Sequence, residues 1–323
     1  MPQADPAIGD DQTEMSLLFM APELNAQSWV EHLRRQDPDL DVRIWPDAGP
    51  PQDVLFVLSW KHPLGAMQAF PRLKCIASLG FGVDHVLRDP ALPAGVPVTR
   101  IVDAGMTAAM STYVLTAVLN YTRQFDLYRL DQGNRTWNAR TPKHPRDVRV
   151  GLMGLGHLGS DAARKLRALG FPVFGWSRSP KSIEGVTGFA GDGALTDFLA
   201  QADILICLLP LTPATHGILN RRTLSMLPAG AYLINAARGE HLVEEDLLTA
   251  LDDGRLSGAC LDVFRQEPLP ESHPFWSHPQ VTITPHVASL TYPGDVAPQI
   301  IANYHRVRAG RPPQHAVDLT RGY

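Results

Sequence analysis

The chain has 323 residues, enough for two domains with separate cores, and 44% of them are hydrophobic against 19% charged. Its 29 basic and 33 acidic residues leave a formal net charge of −4 with no long run of either sign, which argues against nucleic acid or a membrane surface as partner. No apolar run reaches the length of a membrane span, and the N-terminus lacks a basic-then-apolar export pattern, so a cytoplasmic protein is expected.

Residues 1–15 are polar and read as a flexible tail. Strands are then expected at 16–20, 42–45, 54–58, 75–78 and 98–101, with a helix near 29–35, which makes a small parallel α/β domain. No glycine-rich phosphate loop follows its first strand. A long helical pattern over about 106–128 comes next, where Met106, Met110, Leu115 and Leu119 fall at helical spacing and suit a core or a dimer contact. The stretch 135–146 is polar and contains prolines, and reads as a surface loop or an arm reaching a partner subunit.

The most informative segment is Val148-Arg-Val-Gly-Leu-Met-Gly-Leu-Gly-His-Leu-Gly159. It reads as a buried strand, a glycine-rich turn and a helix over 160–169, and Gly154, Gly156 and Gly159 fit the G-x-G-x-x-G spacing of a dinucleotide fold. Such a helix start offers unpaired N–H groups and a positive dipole end to a pyrophosphate. Further strands are expected at 173–176, 204–209, 231–235, 258–263 and 281–284, six in all, with helices at 221–226 and 244–251 between some of them. Together they make a doubly wound nucleotide-binding domain. A last amphipathic helix, 296–308, is surplus to that sheet. The expected division is therefore a flavodoxin-like substrate domain over 16–102 and 290–323, and a Rossmann cofactor domain over 103–289, joined by two crossovers. Ligands favour clefts between domains.

Cofactor choice is read from the second strand of that domain. It ends in Ser177-Arg-Ser-Pro-Lys181, with no carboxylate to bond a ribose 2′-hydroxyl. Arg178, Ser177 and Ser179 suit a 2′-phosphate, so NADPH is expected over NADH.

Three residues at or just beyond strand ends suit reduction of an oxo acid: Arg238, Glu267 and His286. Arg238 can grip a carboxylate and polarise a carbonyl, and His286 can protonate the alkoxide left by hydride attack. A carboxylate at Glu267 favours the imidazolium that carries this proton. Residue type and position leave structural roles open: Arg238 as a helix cap, Glu267 in a surface turn, His286 as a satisfied core histidine. Cys75, Cys207 and Cys260 lie far apart in apolar runs and read as buried thiols, and no metal-ligand spacing appears.

These motifs together resemble the D-2-hydroxyacid dehydrogenases: Gly154-Leu-Gly-His-Leu-Gly159, Asn235-Ala-Ala-Arg-Gly239, Asp262-Val-Phe with Glu267-Pro, and Thr284-Pro-His286. Gly175-Trp-Ser-Arg178 and the ending Arg321-Gly-Tyr323 are similar to the glyoxylate/hydroxypyruvate reductase branch. The resemblance implies Arg238 as substrate anchor, His286 as acid/base and Glu267 as its partner. It implies NADPH-dependent reduction of small 2-oxo acids, glyoxylate to glycolate and hydroxypyruvate to D-glycerate, by a homodimer. The implied cofactor site takes in Gly154, Gly156, His157, Leu158 and Gly159, then Ser177, Arg178 and Ser179. It continues through Leu208, Pro210, Ala236, Arg238, Asp262 and His286. Asp262 either contacts the nicotinamide end or caps local backbone.

In the first domain Leu79-Gly-Phe-Gly-Val-Asp-His85 resembles the family's carboxylate-binding loop. The N–H groups of Phe81 and Gly82 form an anion nest there, or the loop is a plain turn. Trp60 is either an apolar wall beside the substrate or a packing residue, and Trp137 either enters a neighbouring subunit's cleft or packs. The chain departs from many members at Thr112, where they carry a glutamate. A non-enzymatic alternative is a dinucleotide-sensing protein on the same fold, similar to corepressors that keep the catalytic residues. Formate dehydrogenases resemble the family too, but pair their histidine with glutamine where this chain has Glu267.

Overall fold

The computed structural model describes residues 15–323. The expected N-terminal tail therefore falls outside the described residues, apart from Met15. The chain divides into two compact units, one running to Val102 and resuming over Thr291–Tyr323, the other spanning Asp103–Leu290.

The first unit contains β1 (Ser16–Met20), α1 (Ala26–Gln36), β2 (Val42–Ile44), β3 (Val54–Ser59), β4 (Cys75–Ser78), α2 (Asp84–Leu87) and β5 (Val98–Thr99). All pairs are parallel, in the order β2-β1-β3-β4-β5, the flavodoxin-like order with its switch point between β1 and β3. The central strands are continuous apolar runs because both faces are covered. Leu18, Met20, Val57 and Ile76 join one core with Met67 and Val86.

The second unit opens with α3 (Ala104–Thr122) and α4 (Phe125–Gly133). The single long helix expected over this stretch is broken at Gln124, which adopts a left-handed φ of 60°. Met106 and Met110 are buried, whereas Leu119 is exposed. Then follow β6 (Val150–Met153), α5 (His157–Ala168), β7 (Val173–Ser177), β8 (Thr187–Ala190), α6 (Leu195–Leu199) and β9 (Ile204–Cys207). The unit ends with α7 (Arg221–Met226), β10 (Ala231–Asn235), α8 (Glu244–Asp252), β11 (Leu256–Leu261) and β12 (Val281–Ile283).

Its sheet has seven parallel strands in the order β12-β11-β10-β9-β6-β7-β8, where six were expected. The additional strand is β8, an edge strand without the buried apolar run that marks the others. Inner strands alternate between two cores. Ile204 and Ile206 pack with Ala162 and Leu166 of α5 and Val114 and Val118 of α3, while Leu205 and Cys207 pack with Leu224 of α7 and Leu247 of α8. The switch point lies between β6 and β9, at the glycine turn.

The chain then returns to the first unit as α9 (Pro293–Arg308). This helix and α1 cover the remaining face of the first sheet, with Tyr304 edge-on to Phe56 at 6.2 Å and Trp29 against Phe19 at 5.9 Å. That explains why the last amphipathic helix is surplus to the second sheet.

Candidate active site

The glycine turn is built by backbone proximity. Gly154 has φ 104°, a region that favours glycine, and the N–H of Leu208 donates to Met153 O at 2.8 Å across the switch point. A Cβ at Gly159 would lie 1.9 Å from the carbonyl oxygen of Gly154, so α5 can pack this close to the turn only without one. At Gly156 the opposite holds, because a Cβ there would meet nothing within 4 Å. No side chain caps the start of α5, and its first turn carries no acid. Exposed Gly156 and His157 and half-buried Leu158 thus border open space at a helix N-terminus, an arrangement that fits a pyrophosphate.

The turn after β7 also fits a phosphorylated ribose, because Arg178, Ser179 and Lys181 are exposed and residues 177–183 include no acid. Ser177, by contrast, is buried, and its hydroxyl donates to Ser179 O at 2.8 Å, which shapes the turn.

Beyond β9, half-buried Leu208 and Pro210 lie at the switch point, and Ala236 beyond β10 is buried. Arg238 sits in extended backbone after β10. Asn235 Nδ2 donates to Arg238 O at 3.0 Å, and the Arg238 guanidinium donates to Ala237 O at 2.7 Å. Fully buried His241 completes the support. Its Nε2 lies 3.3 Å from Pro210 O, and its Nδ1 lies 3.2 Å from the Arg238 N and 3.1 Å from the Arg238 O. His241 escaped the sequence reading, and its signal was the spacing of three residues from Arg238. Gly239 lets this loop touch the next, since a Cβ there would lie 1.9 Å from the Phe264 carbonyl carbon.

That next loop carries Glu267, whose Oε1 accepts the Phe264 N–H at 3.1 Å and whose Oε2 lies 2.8 Å from His286 Nδ1. The carboxylate accepts, so Nδ1 bears the proton and Nε2 is the ring atom left to exchange one. Both side chains are partly exposed, at 33% for His286 and 24% for Glu267. His286 has a left-handed φ of 53°, an uncommon backbone for a non-glycine residue that costs about 1–3 kcal/mol and persists where surroundings impose it.

Asp262 imposes it. Its Oδ1 accepts from Thr284 Oγ1 at 2.6 Å and Val287 N–H at 2.9 Å, its Oδ2 accepts from Ala288 N–H at 2.9 Å, and its carbonyl accepts from His286 N–H at 2.7 Å. With 1% exposure and both oxygens engaged, Asp262 shows the backbone-capping geometry.

In the first unit, His85 Nδ1 accepts the Lys61 N–H at 3.4 Å, its Nε2 donates to Ser78 Oγ at 2.9 Å, and Ser78 donates to Gly82 O at 2.7 Å. This chain holds the 79–82 loop, with the N–H groups of Phe81 and Gly82 outside the backbone hydrogen bonding of the described residues. The half-buried Trp60 lies against His85, ring centroids 4.5 Å apart, and a Cβ at Gly80 would come within 3.1 Å of its ring. It therefore packs on the loop while keeping part of its surface accessible. Trp137 packs on nothing among the described residues and is 99% exposed. Thr112 is exposed, with its hydroxyl on Ala108 O at 2.9 Å.

Residues 115–288 match the family description D-isomer specific 2-hydroxyacid dehydrogenase, NAD binding domain, which is over half of the chain. The chain belongs to the D-isomer-specific 2-hydroxyacid dehydrogenase family. Among curated members, it is 44% identical to a glyoxylate/hydroxypyruvate reductase A from Yersinia enterocolitica and 46% identical to one from Serratia proteamaculans. In both cases the match covers 96% of this chain and 100% of the relative. Among solved structures, it is similar to a family member from Xanthobacter autotrophicus in complex with NADPH and MES, with 42% identity and a TM-score of 0.91. It is also similar to an NADPH-dependent glyoxylate/hydroxypyruvate reductase from Sinorhizobium meliloti in complex with NADP and sulfate, with 36% identity and a TM-score of 0.90. Both cover 96% of this chain and 100% of the neighbour. The family members thus share both units of the fold, and the Arg238, Glu267 and His286 loops lie within the matched segment.

Proposed function

We propose that this chain reduces small 2-oxo acids with NADPH, converting glyoxylate to glycolate and hydroxypyruvate to D-glycerate. The observation that carries the reading is the His286–Glu267 pair at 2.8 Å at the carboxyl end of the second sheet. Glu267 accepts from Nδ1–H and so fixes the ring, and the imidazolium gives its Nε2 proton to the carbonyl oxygen as that oxygen becomes an alkoxide. Arg238 binds the substrate carboxylate through its guanidinium fork and polarises the adjacent carbonyl. In the first unit, the Phe81 and Gly82 amides form an anion nest suited to a carboxylate, with Trp60 as its apolar neighbour. NADPH, when bound, supplies the hydride. The amides at the start of α5 would hold its pyrophosphate, and Arg178 and Ser179 its 2′-phosphate.

Relatives named as reductases over their full length support an enzyme over the dinucleotide-sensing alternative. In this reading the enzyme works in the cytoplasm, in keeping with three buried free thiols, and as a homodimer. The test is the loss of NADPH absorbance with glyoxylate, hydroxypyruvate and larger 2-oxo acids, repeated with NADH. Turnover with NADPH and a small 2-oxo acid is expected; no turnover with any of them sinks the proposal.

A further inference from the structure

The left-handed turn that presents His286 has a support that continues into the core of the second unit. Asp262 Oδ1 and Oδ2 each accept a backbone N–H from the 287–288 segment, so both oxygens act as acceptors. Thr284 therefore donates its one hydroxyl proton to Oδ1, at 2.6 Å. Its oxygen in turn lies 2.8 Å from the phenol of Tyr113 on α3, which must be the donor in that bond. The phenol oxygen is then left to accept, and Cys260 Sγ lies 3.3 Å away on β11. One proton order satisfies all four groups: thiol to phenol, phenol to hydroxyl, hydroxyl to carboxylate. Burial keeps the two outer donors protonated, pushing the Cys260 thiol up to about 11 and the Tyr113 phenol upward as well.

We infer that Tyr113 and Thr284 are positioning residues for the proton donor: their one-way hydrogen-bond chain locks the Asp262 carboxylate, and through it the strained His286 turn. Neither touches the reacting atoms. Without the Thr284 hydroxyl, Oδ1 keeps only the Val287 N–H, and the carboxylate can rotate away from the turn it caps. The tyrosine adds rigidity because its ring is anchored in α3, so the turn is referenced to a core helix as well as to β11 and β12.

The inference rests on the reading of His286 as proton donor, and its test keeps the two separable. Thr284→Val removes the hydroxyl at nearly constant volume. In the unliganded variant, amide hydrogen exchange at Val287 and Ala288 is expected to accelerate about tenfold or more. In turnover, kcat is expected to fall about tenfold with KM for NADPH within about twofold, because the misplaced group acts in the chemical step. Thr284→Ser, which restores the hydroxyl, should recover most of both. Tyr113→Phe should give a smaller loss of the same kind, and combining it with Thr284→Val should add little, since both cut one chain. If Thr284→Val does not fold, Tyr113→Phe carries the comparison. Unchanged exchange at both amides in the folded variant overturns the inference, whether or not the protein turns over a 2-oxo acid. So does a kcat within about twofold of the parent. A parent without turnover overturns the proposed function and leaves the exchange result to decide this one.

Discussion

At the residue scale, His286, Glu267 and Arg238 divide the proposed chemistry among a proton, its stabilising charge and an anchor. His286→Ala is expected to lower kcat by about 10²–10⁴-fold with NADPH affinity largely intact, measured by fluorescence titration beside steady-state rates. Glu267→Gln replaces the carboxylate that holds the His286 Nδ1–H with a neutral amide, so kcat should fall at least about tenfold with NADPH affinity largely intact. A kcat within about twofold of the parent would make Glu267 a structural residue. Arg238→Lys keeps the charge but loses the planar fork, and kcat/KM should fall at least about tenfold for every 2-oxo acid. Wild-type kinetics on glyoxylate would mean that another group holds the carboxylate. These three were legible in the sequence because each follows a strand end within a motif. His241 and Tyr113 were less so, because their roles depend on contacts. Tyr113 meets Thr284 across 171 positions of chain.

At the scale of elements, the β6 turn and α5 together form the proposed phosphate site, and the β7 turn carries the proposed cofactor choice. Charge-assisted bonds contribute roughly 1.5–3 kcal/mol each, so loss of one from Arg178 to a 2′-phosphate should weaken NADPH about tenfold or more. Arg178→Ala is therefore expected to raise KM for NADPH while leaving KM for NADH nearly unchanged. Equal efficiency of the parent enzyme with both cofactors would count against the assignment. Burial on both faces wrote most strands into the sequence as apolar runs. Edge strand β8 lacks that burial and was missed. The break between α3 and α4 was missed because Gln124, unlike glycine or proline, carries no local signal for its left-handed φ of 60°.

At the scale of the whole molecule, α4 and the following arm leave large apolar side chains in water: Phe125 is 61% exposed, Leu130 48% and Trp137 99%. Such a concentration in one segment is the surface the proposed homodimer would cover. Light scattering should give twice the 35.4 kDa chain mass, and Phe125→Ser with Trp137→Ser should shift it toward the monomer. A parent that elutes as a monomer at working concentration would sink the dimer. Acid stability has a separate origin. Burial raises the Asp203 carboxyl, but two bonds from the Arg149 side chain, at 2.7 and 3.0 Å, and one from its N–H more than offset it, leaving it below the usual carboxylate range. A lowered folded-state value means stability that is present above about pH 4 and lost as pH falls through that value. Asp203→Asn should then lower Tm at neutral pH, and the gap should narrow at about pH 3.

The succession of buried strands and glycine turns along the chain was decided by the sequence itself, because burial period, glycine spacing and strand-end residues are local properties of the chain. So was the lack of an acid over residues 177–183, on which the proposed cofactor choice turns. What the tertiary structure alone decided is which distant groups meet. The 2.8 Å approach of His286 to Glu267, the packing of Gly239 on Phe264 and the Tyr113–Thr284–Asp262 chain depend on strand order and register, and no spacing along the sequence encodes them. The same applies to α9, whose amphipathic pattern announces a buried face but not the sheet that buries it. Tyr304 against Phe56 supplies that answer through contact between segments some 250 residues apart in the chain.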